Sequence, residues 1–99
     1  MNPIDIQKEK VGDTDVFRIS GKLDSAAASH LEKALNTSDS KKIVLDLQGL
    51  EYINSEGMRA LLKIQENHEI SLTSLNKKIM EVFAIAGLDR LFNLKTDQP

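Results

Sequence analysis

The chain has 99 residues, no cysteine and a formal net charge of -2. This length suits one domain with one hydrophobic core, and we expect a single domain over residues 1–99 with a structured core at about residues 4–95. Without cysteine there can be no disulfide, thiolate nucleophile or cysteine-based metal site. The negative charge and the 4% aromatic content argue against a nucleic-acid partner.

The sequence also bears on location. No apolar run approaches the roughly 18–20 residues that span a bilayer. The residues after Met1 lack the cationic segment and apolar core of a signal peptide. We therefore expect a cytoplasmic protein with no direct membrane insertion.

The first predicted elements are two strands. Ile4 and Ile6 alternate with polar residues, a polar turn at Gly12 follows, and residues 16–20 have the composition of a second strand. This pattern predicts a hairpin, which residues 21–24 are expected to close.

A helix of about three turns is predicted next. Either Asp24 or Ser25 can cap it, because each side chain can accept a hydrogen bond from the first-turn amides. Its expected apolar face consists of Ala27, Leu31, Ala34 and Leu35. Residues 36–42 are polar, and we expect a loop there.

The central stretch begins with an uninterrupted apolar run at residues 43–47, typical of a strand that is buried on both faces. A loop is expected after it. A second helix should begin at Ser55, because Met58, Leu61 and Leu62 recur at helical spacing. This helix is expected to fray near residues 67–68.

The last third of the chain predicts a strand, a helix and a short final segment. Residues 69–75 alternate apolar and polar side chains, as in a strand with one covered face. Asn76 should cap a helix that ends at Gly87, where a left-handed residue is favoured. The expected stripe of this helix is Ile79, Val82, Phe83 and Ala86. Residues 91–94 could be a strand or more helix, and we favour a strand; residues 97–99 would be a tail.

These elements predict an α/β domain in the order β-β-α-β-α-β-α-β. Strands separated by helices pair in parallel through right-handed crossovers, whereas the first hairpin is antiparallel. The expected fold is a mixed, mostly parallel sheet with helices packed on it.

Catalytic motifs are missing from the sequence. The two histidines, His30 and His68, are far apart and have no metal-ligand spacing, so we expect both to be exposed. Ser55 is not in a Gly-x-Ser-x-Gly elbow, and the glycines are scattered singly. We expect no enzymatic activity, no metal and no cofactor.

Ser55 has two open interpretations. It can be a plain N-cap of the second helix, or Asn54 can cap the helix and leave the Ser55 hydroxyl free. Gly57 in the first turn costs roughly 0.5–1 kcal/mol relative to alanine. A bare backbone there permits close approach of either the chain itself or a partner. A phosphate on Ser55 would meet the positive end of the helix.

Three segments carry a family resemblance. Residues 21–24 resemble a G-x-L-D turn, residues 45–58 resemble the signature D-L-x-x-V-x-x-I-D-S-S-G-L, and residues 86–92 resemble T-G-L-x-x-x-F. These motifs belong to STAS domains, which bacterial anti-sigma factor antagonists share with the cytoplasmic ends of sulfate transporters. The resemblance covers nearly the whole chain, in the right order and spacing.

The resemblance implies a regulatory cycle. In antagonists the serine at the position of Ser55 is the phosphoacceptor. The unphosphorylated protein would bind an anti-sigma factor serine kinase and release the sigma factor; phosphorylation would end the complex, and a metal-dependent serine phosphatase would restore it. The implied partner-binding residues are Asp24, Ser25, Asn54, Ser55, Glu56, Gly57, Met58 and Arg59.

The signature differs at two positions. Asn54 stands where the family has an aspartate, and Glu56 stands where it has a second serine. An alternative is therefore a STAS subunit that acts as a constitutive scaffold, for example the cytoplasmic component of a lipid-transport ATPase. A weak nucleotide-binding STAS module is a further alternative, resting on the family and the helix start alone.

Overall fold

The computed structural model describes residues 4–96, which form five strands, three α-helices and one short 3-10 helix. The strands are β1 Ile4–Val11, β2 Thr14–Leu23, β3 Lys42–Ile53, β4 Glu69–Leu75 and β5 Asn93–Thr96. The helices are α1 Ser25–Asn36, α2 Ser55–Gln65 and α3 Lys77–Ile85, with the 3-10 helix at Leu88–Arg90. The predicted element order is confirmed, and the 3-10 helix is an addition to it.

One five-stranded sheet has the strand order β1-β2-β3-β4-β5. β1 and β2 are antiparallel, and every later neighbour pair is parallel. Each crossover therefore moves one strand in the same direction. Because such crossovers are right-handed, all three helices lie on one face of the sheet. The predicted mixed, mostly parallel sheet is confirmed.

The hydrophobic core lies between that face and the helices. In β3, Ile43, Leu45 and Leu47 are buried in it, whereas Val44 and Asp46 are half-buried on the opposite face. The prediction that β3 is buried on both faces is wrong. Val44 makes the apolar run continuous in the sequence. Because all three helices lie on the other face of the sheet, Val44 is only half-buried.

Two predicted loops are parts of strands. β2 continues through Leu23, and β3 continues through Ile53, so only Asn54 separates β3 from α2. Two register shifts between β2 and β3 add residues to β3 and break its alternation. At one shift Gly49 faces Ser20, and a Cβ on Gly49 would lie 2.5 Å from the Ser20 Cβ. This irregular pattern resembled a loop in the sequence.

The end of β4 contains a similar irregularity. Ile70, Leu72 and Leu75 are buried, although strict alternation would turn Leu75 away from the core. The register shifts between Thr73 and Leu75, and Ser74 has a φ of 58°. This left-handed residue reverses the alternation and returns Leu75 to the core.

The segment after α3 differs in detail from the prediction. Gly87 has the expected left-handed backbone, with a φ of 77°, but Ala86 is exposed because the helix ends before it can face the core. Phe92 lies in a bend and packs on Phe83 with ring centroids 6.3 Å apart. The final strand is confirmed but begins only at Asn93. The predicted tail, residues 97–99, lies outside the described residues.

A buried polar cluster joins the start of β2 to the loop before β3. Asp15 is 1% exposed, accepts a hydrogen bond from the Ser38 hydroxyl and lies 3.7 Å from the Lys8 ammonium. The Ser38 hydroxyl also accepts a bond from the Ser40 amide at 3.2 Å. The bond from Ser38 holds the pKa of the Asp15 carboxyl below its usual range, and the nearby Lys8 acts in the same direction, although burial opposes both. The cluster fastens the loop before β3, which the sequence showed only as polar.

Asp15 is expected to contribute stability that depends on acid pH. Its pKa is lower in the folded than in the unfolded chain, so the unfolded chain binds more protons in acid. The stabilisation is therefore present above the unfolded pKa of about 3.9 and is lost as the pH falls through the lowered folded pKa. Urea unfolding between neutral and acid pH should show a flatter acid limb for Asp15→Asn. The exposed Asp39, in the same loop, provides the control Asp39→Asn; equal acid limbs in the native chain and Asp15→Asn would contradict the role of Asp15.

Candidate functional site

Three helices begin at one edge of the sheet, which we call the carboxyl edge. It is formed by the ends of β2, β3 and β4 and by the residues that follow them. In each case the residue directly after the strand caps the next helix through its side-chain oxygen. The acceptors and amides are Asp24 and Ala27 at 3.1 Å, Asn54 and Gly57 at 3.0 Å, and Asn76 and Ile79 at 2.9 Å.

The capping residue of α2 is Asn54, which decides the question left open by the sequence. Ser55 is the first residue of the helix and is exposed. Its hydroxyl forms no hydrogen bond with any residue that the structure describes. Ser25 has the same position on α1, after its cap Asp24, and is also exposed. Both hydroxyls are available to solvent because the preceding residue does the capping.

Gly57 is buried where the first turn of α2 meets the end of β2. A Cβ at this position would lie 2.5 Å from the Leu23 carbonyl oxygen, 2.8 Å from the Leu23 Cγ and 3.0 Å from the Ile53 Cγ1. The Asn54 amide also donates to the Leu23 carbonyl at 3.3 Å. The absence of a side chain therefore allows α2 to pack directly against the end of β2. Gly57 is buried beneath the surface that a partner could reach.

The other predicted site residues lie around this contact. Asp24 follows Leu23 directly, so the close approach of α2 to Leu23 brings Asp24 near residues 54–57. Glu56 and Arg59 are exposed and form an ion pair at 3.7 Å. Met58 is half-buried and packs against the core. The structure thus places a mainly polar, accessible surface around Ser55.

The same edge contains residues that sequence reasoning missed. Asp24 lines a cleft of about 580 Å³, the edge cleft, together with Lys22, Glu51, Tyr52 and Lys78. Lys22 and Tyr52 are neighbours across β2 and β3, and Tyr52 is 46% exposed. The Asn76 side chain donates to the Leu50 carbonyl at 2.9 Å and holds the start of α3 beside β3. Only the unexpected continuation of both strands places these side chains together.

The histidines are not near this surface. His30 is exposed, as expected, but His68 is half-buried with its Nδ1 3.0 Å from the Ser40 carbonyl oxygen. The prediction that His68 is exposed is wrong, because the loop before β3 folds over it. Among residues 4–96 no group of three or more acidic, histidine or cysteine side chains is arranged to hold a metal ion. No helix in that range has the length and apolar composition needed to cross a bilayer.

Comparison with known families agrees with this architecture. The family model described as "Mlab, STAS domain" matches residues 6–94. The chain therefore belongs to the STAS domain family, as its three sequence motifs predicted.

A named relative and solved structures extend the comparison. The chain is 33% identical over 92 residues to BtrV of Bordetella bronchiseptica, provisionally assigned as an anti-sigma factor antagonist; the match covers 85% of this chain and 79% of BtrV. An anti-sigma factor antagonist from Mycobacterium paratuberculosis superposes with a TM-score of 0.83 at 22% identity, covering 96% of this chain and 87% of the other. The phosphorylated form of the Bacillus cell fate determinant SpoIIAA gives a TM-score of 0.70 at 22% identity, covering 95% and 94%. The two solved structures share the fold of this chain.

Because Gly57 lies against Leu23, replacing this glycine with alanine should change the free energy of unfolding in the direction opposite to the usual one for a helix. Glycine to alanine within a helix ordinarily stabilises by about 1 kcal/mol. At position 57 the added methyl group would press on a backbone carbonyl, so we expect Gly57→Ala to lower the free energy of unfolding by about 1–3 kcal/mol. Urea unfolding measures the change.

The matched control is Ala84→Gly at an exposed position of α3, where only helix propensity acts. This variant should lose about 1 kcal/mol, so alanine is preferred at position 84 and glycine at position 57. A Gly57→Ala variant more stable than the native chain would show that α2 does not approach Leu23 as described.

Proposed function

We propose that this protein is an anti-sigma factor antagonist whose unphosphorylated form binds an anti-sigma factor serine kinase and thereby releases the sigma factor. The observation that carries the proposal is the exposed hydroxyl of Ser55 at the first position of α2, which forms no hydrogen bond with the residues that the structure describes. The assignment of BtrV, a relative over most of the chain, supports the same class of function. The protein would act without catalysis, in the cytoplasm, as a regulator of transcription.

The geometry suits a phosphoacceptor in one specific respect. The hydroxyl oxygen of a serine that caps its own helix is held by a backbone amide, and this bond, worth about 1 kcal/mol, would have to break before the hydroxyl entered a kinase active site. Here Asn54 makes that bond to the Gly57 amide. The Ser55 hydroxyl can therefore enter a kinase active site without loss of the cap.

The effect of a phosphate would be felt at the interface. A phosphoserine adds a charge of about -1.5 to -2 at neutral pH. Arg59 pairs with the Glu56 carboxylate next to Ser55 at 3.7 Å, so the phosphate would give this surface a net negative charge. Since the Ser55 hydroxyl has no hydrogen bond to break within the described part of the chain, the phosphate would act by repulsion and desolvation of the partner. A metal-dependent serine phosphatase would then reset the switch.

A second candidate is a constitutive scaffold subunit, such as the cytoplasmic component of a lipid-transport ATPase. The specific observation is Glu56, whose carboxylate adjoins the hydroxyl where a second serine would stand in the antagonist signature. The matching family model is described as "Mlab, STAS domain", a description that does not name anti-sigma factors. The carboxyl edge would then bind an ATPase permanently, with Ser55 unmodified.

Phosphorylation at Ser55 is testable with the cognate kinase and ATP. We expect one phosphate on the native chain, located on Ser55 by mass spectrometry. Ser55→Ala should remove the phosphate and keep kinase binding, whereas Ser55→Asp should weaken binding about tenfold or more, which is about 1.4 kcal/mol.

Ser25 provides the matched control, because it is an equally exposed first helical residue after a cap. Ser25→Ala should leave the phosphate on Ser55 unchanged. An unmodified Ser55, or equal affinities for the native and Ser55→Asp chains, would reject the switch. Stable co-purification with a transport ATPase in place of a kinase would support the scaffold function.

A further inference from the structure

The start of α3 has a charge arrangement that its own helix does not favour. Lys77 and Lys78 are its first two residues, and its first turn contains no acidic side chain. The positive end of a helix dipole disfavours cations in this position. Neither lysine forms an ion pair with any residue among 4–96. A helix start whose charges oppose the dipole, with no compensating ion pair in the described part of the chain, is the kind of local inconsistency that proteins accept at functional sites.

Tyr52 is the second observation at the same place. Four large apolar side chains are markedly exposed in the described part of the chain: Val11, Tyr52, Ile85 and Leu91. Val11 lies at the first hairpin, Ile85 at the far end of α3, and Leu91 beside the end of α2, where its carbonyl accepts from Gln65. Of these four, Tyr52 alone lies at the carboxyl edge. Tyrosine is enriched at the centres of protein interfaces, whereas charged side chains such as lysine belong to the rim around them.

The charges around Tyr52 indicate which partner surface fits. Lys22 and Lys78 line the edge cleft with Tyr52, opposite the carboxylates of Asp24 and Glu51. The Asp24 carboxylate is directed to the first turn of α1, where it accepts from the Ala27 amide at 3.1 Å. The lining of the cleft is balanced, with two lysines and two carboxylates, and Lys77, next to Lys78 in the sequence, adds a third positive charge at the start of α3. A partner surface rich in carboxylates complements this region.

We propose that Tyr52 anchors the partner interface, and that Lys22 and Lys78 pair with carboxylates around an apolar pocket on the anti-sigma factor kinase. This inference rests on the proposed function and adds a residue-level division of roles to it. Tyr52 and the lysines supply affinity, whereas Ser55, three residues beyond Tyr52 on the same edge, supplies the switch. A phosphate on Ser55 would face the same acidic partner surface, so like-charge repulsion explains why it would end the complex.

The first test measures affinity for the cognate kinase by calorimetry, without ATP, at low and high salt. Tyr52→Ala should lose about 30-fold or more, whereas Tyr52→Phe should lose little, because the ring makes most of the contact. Lys22→Gln and Lys78→Gln should each lose about threefold to tenfold and show a weaker salt dependence.

Two control variants match these changes at the opposite end of the molecule. Ile85→Ala removes a side chain that is 88% exposed, and Lys41→Gln removes an exposed lysine in the loop before β3. Both should bind as tightly as the native chain. Native affinity in Tyr52→Ala, or equal losses in the control variants, would overturn the assignment of the anchor.

A stability measurement separates binding from folding. Because Lys78 opposes the dipole of α3, Lys78→Gln should raise the melting temperature of the isolated protein by about 1–4 °C while it weakens kinase binding. A lysine that serves the fold would change both properties in the same direction. A lower melting temperature for Lys78→Gln would therefore contradict the proposal.

A third measurement needs no kinase and keeps the two proposals distinguishable. The acetylated, amidated pentapeptide EELEE is titrated into the isotope-labelled chain, with KKLKK as the opposite-charge control. The acidic peptide should shift the amide resonances of Lys22, Tyr52 and Lys78, and the basic peptide should not. If the native chain binds no kinase, the proposed function fails, yet these shifts still support an acidic ligand at the cleft; shifts absent or equal for both peptides overturn the further inference.

Discussion

The close approach of α2 to the end of β2 is the constraint on which the carboxyl edge depends. A glycine at position 57 lets the helix backbone lie directly against the Leu23 carbonyl, a distance that any side chain would increase. The Asn54 amide bonds to that same carbonyl. These contacts bring Ser55 and Asp24 to one surface, although 30 residues of chain separate them. A helix start that could slide would not present a hydroxyl in a defined place.

The one-sided sheet accounts for much of the remaining structure. Parallel sheets usually have both faces covered, but consecutive strand order puts all three helices on one side here. The bare face is compatible with solvent because its centre is polar. There Arg18 lies 3.2 Å from Glu9 and 3.9 Å from Asp46, in exposed or half-buried ion pairs. One face of the sheet is therefore not covered by helices. The starts of all three α-helices lie together at the carboxyl edge.

Neighbouring polar residues at the carboxyl edge have different roles. Asn54 caps α2, so Ser55 keeps a hydroxyl for other chemistry; Asn76 caps α3 and also bonds to Leu50 in β3. An asparagine has both an acceptor and a donor, and position 76 uses both. The same side chain that starts α3 therefore positions Lys78 beside Tyr52. Stability and the proposed interface share these caps.

The sequence alone determined the element order, the Asn76 cap and the family resemblance, because caps, alternation and motif spacing are local properties. For α1 and α2 the sequence left two neighbouring candidates each, and the structure selects Asp24 over Ser25 and Asn54 over Ser55. Tertiary structure decided which face of β3 is buried, since burial depends on where distant helices lie. It also decided that residues 48–53 belong to a strand, because the register shifts and the contact between Gly49 and Ser20 arise only when β3 pairs with β2. Tyr52, Lys22 and Lys78 could not be grouped from the sequence, since the edge cleft exists only once strands of different sequence position end side by side.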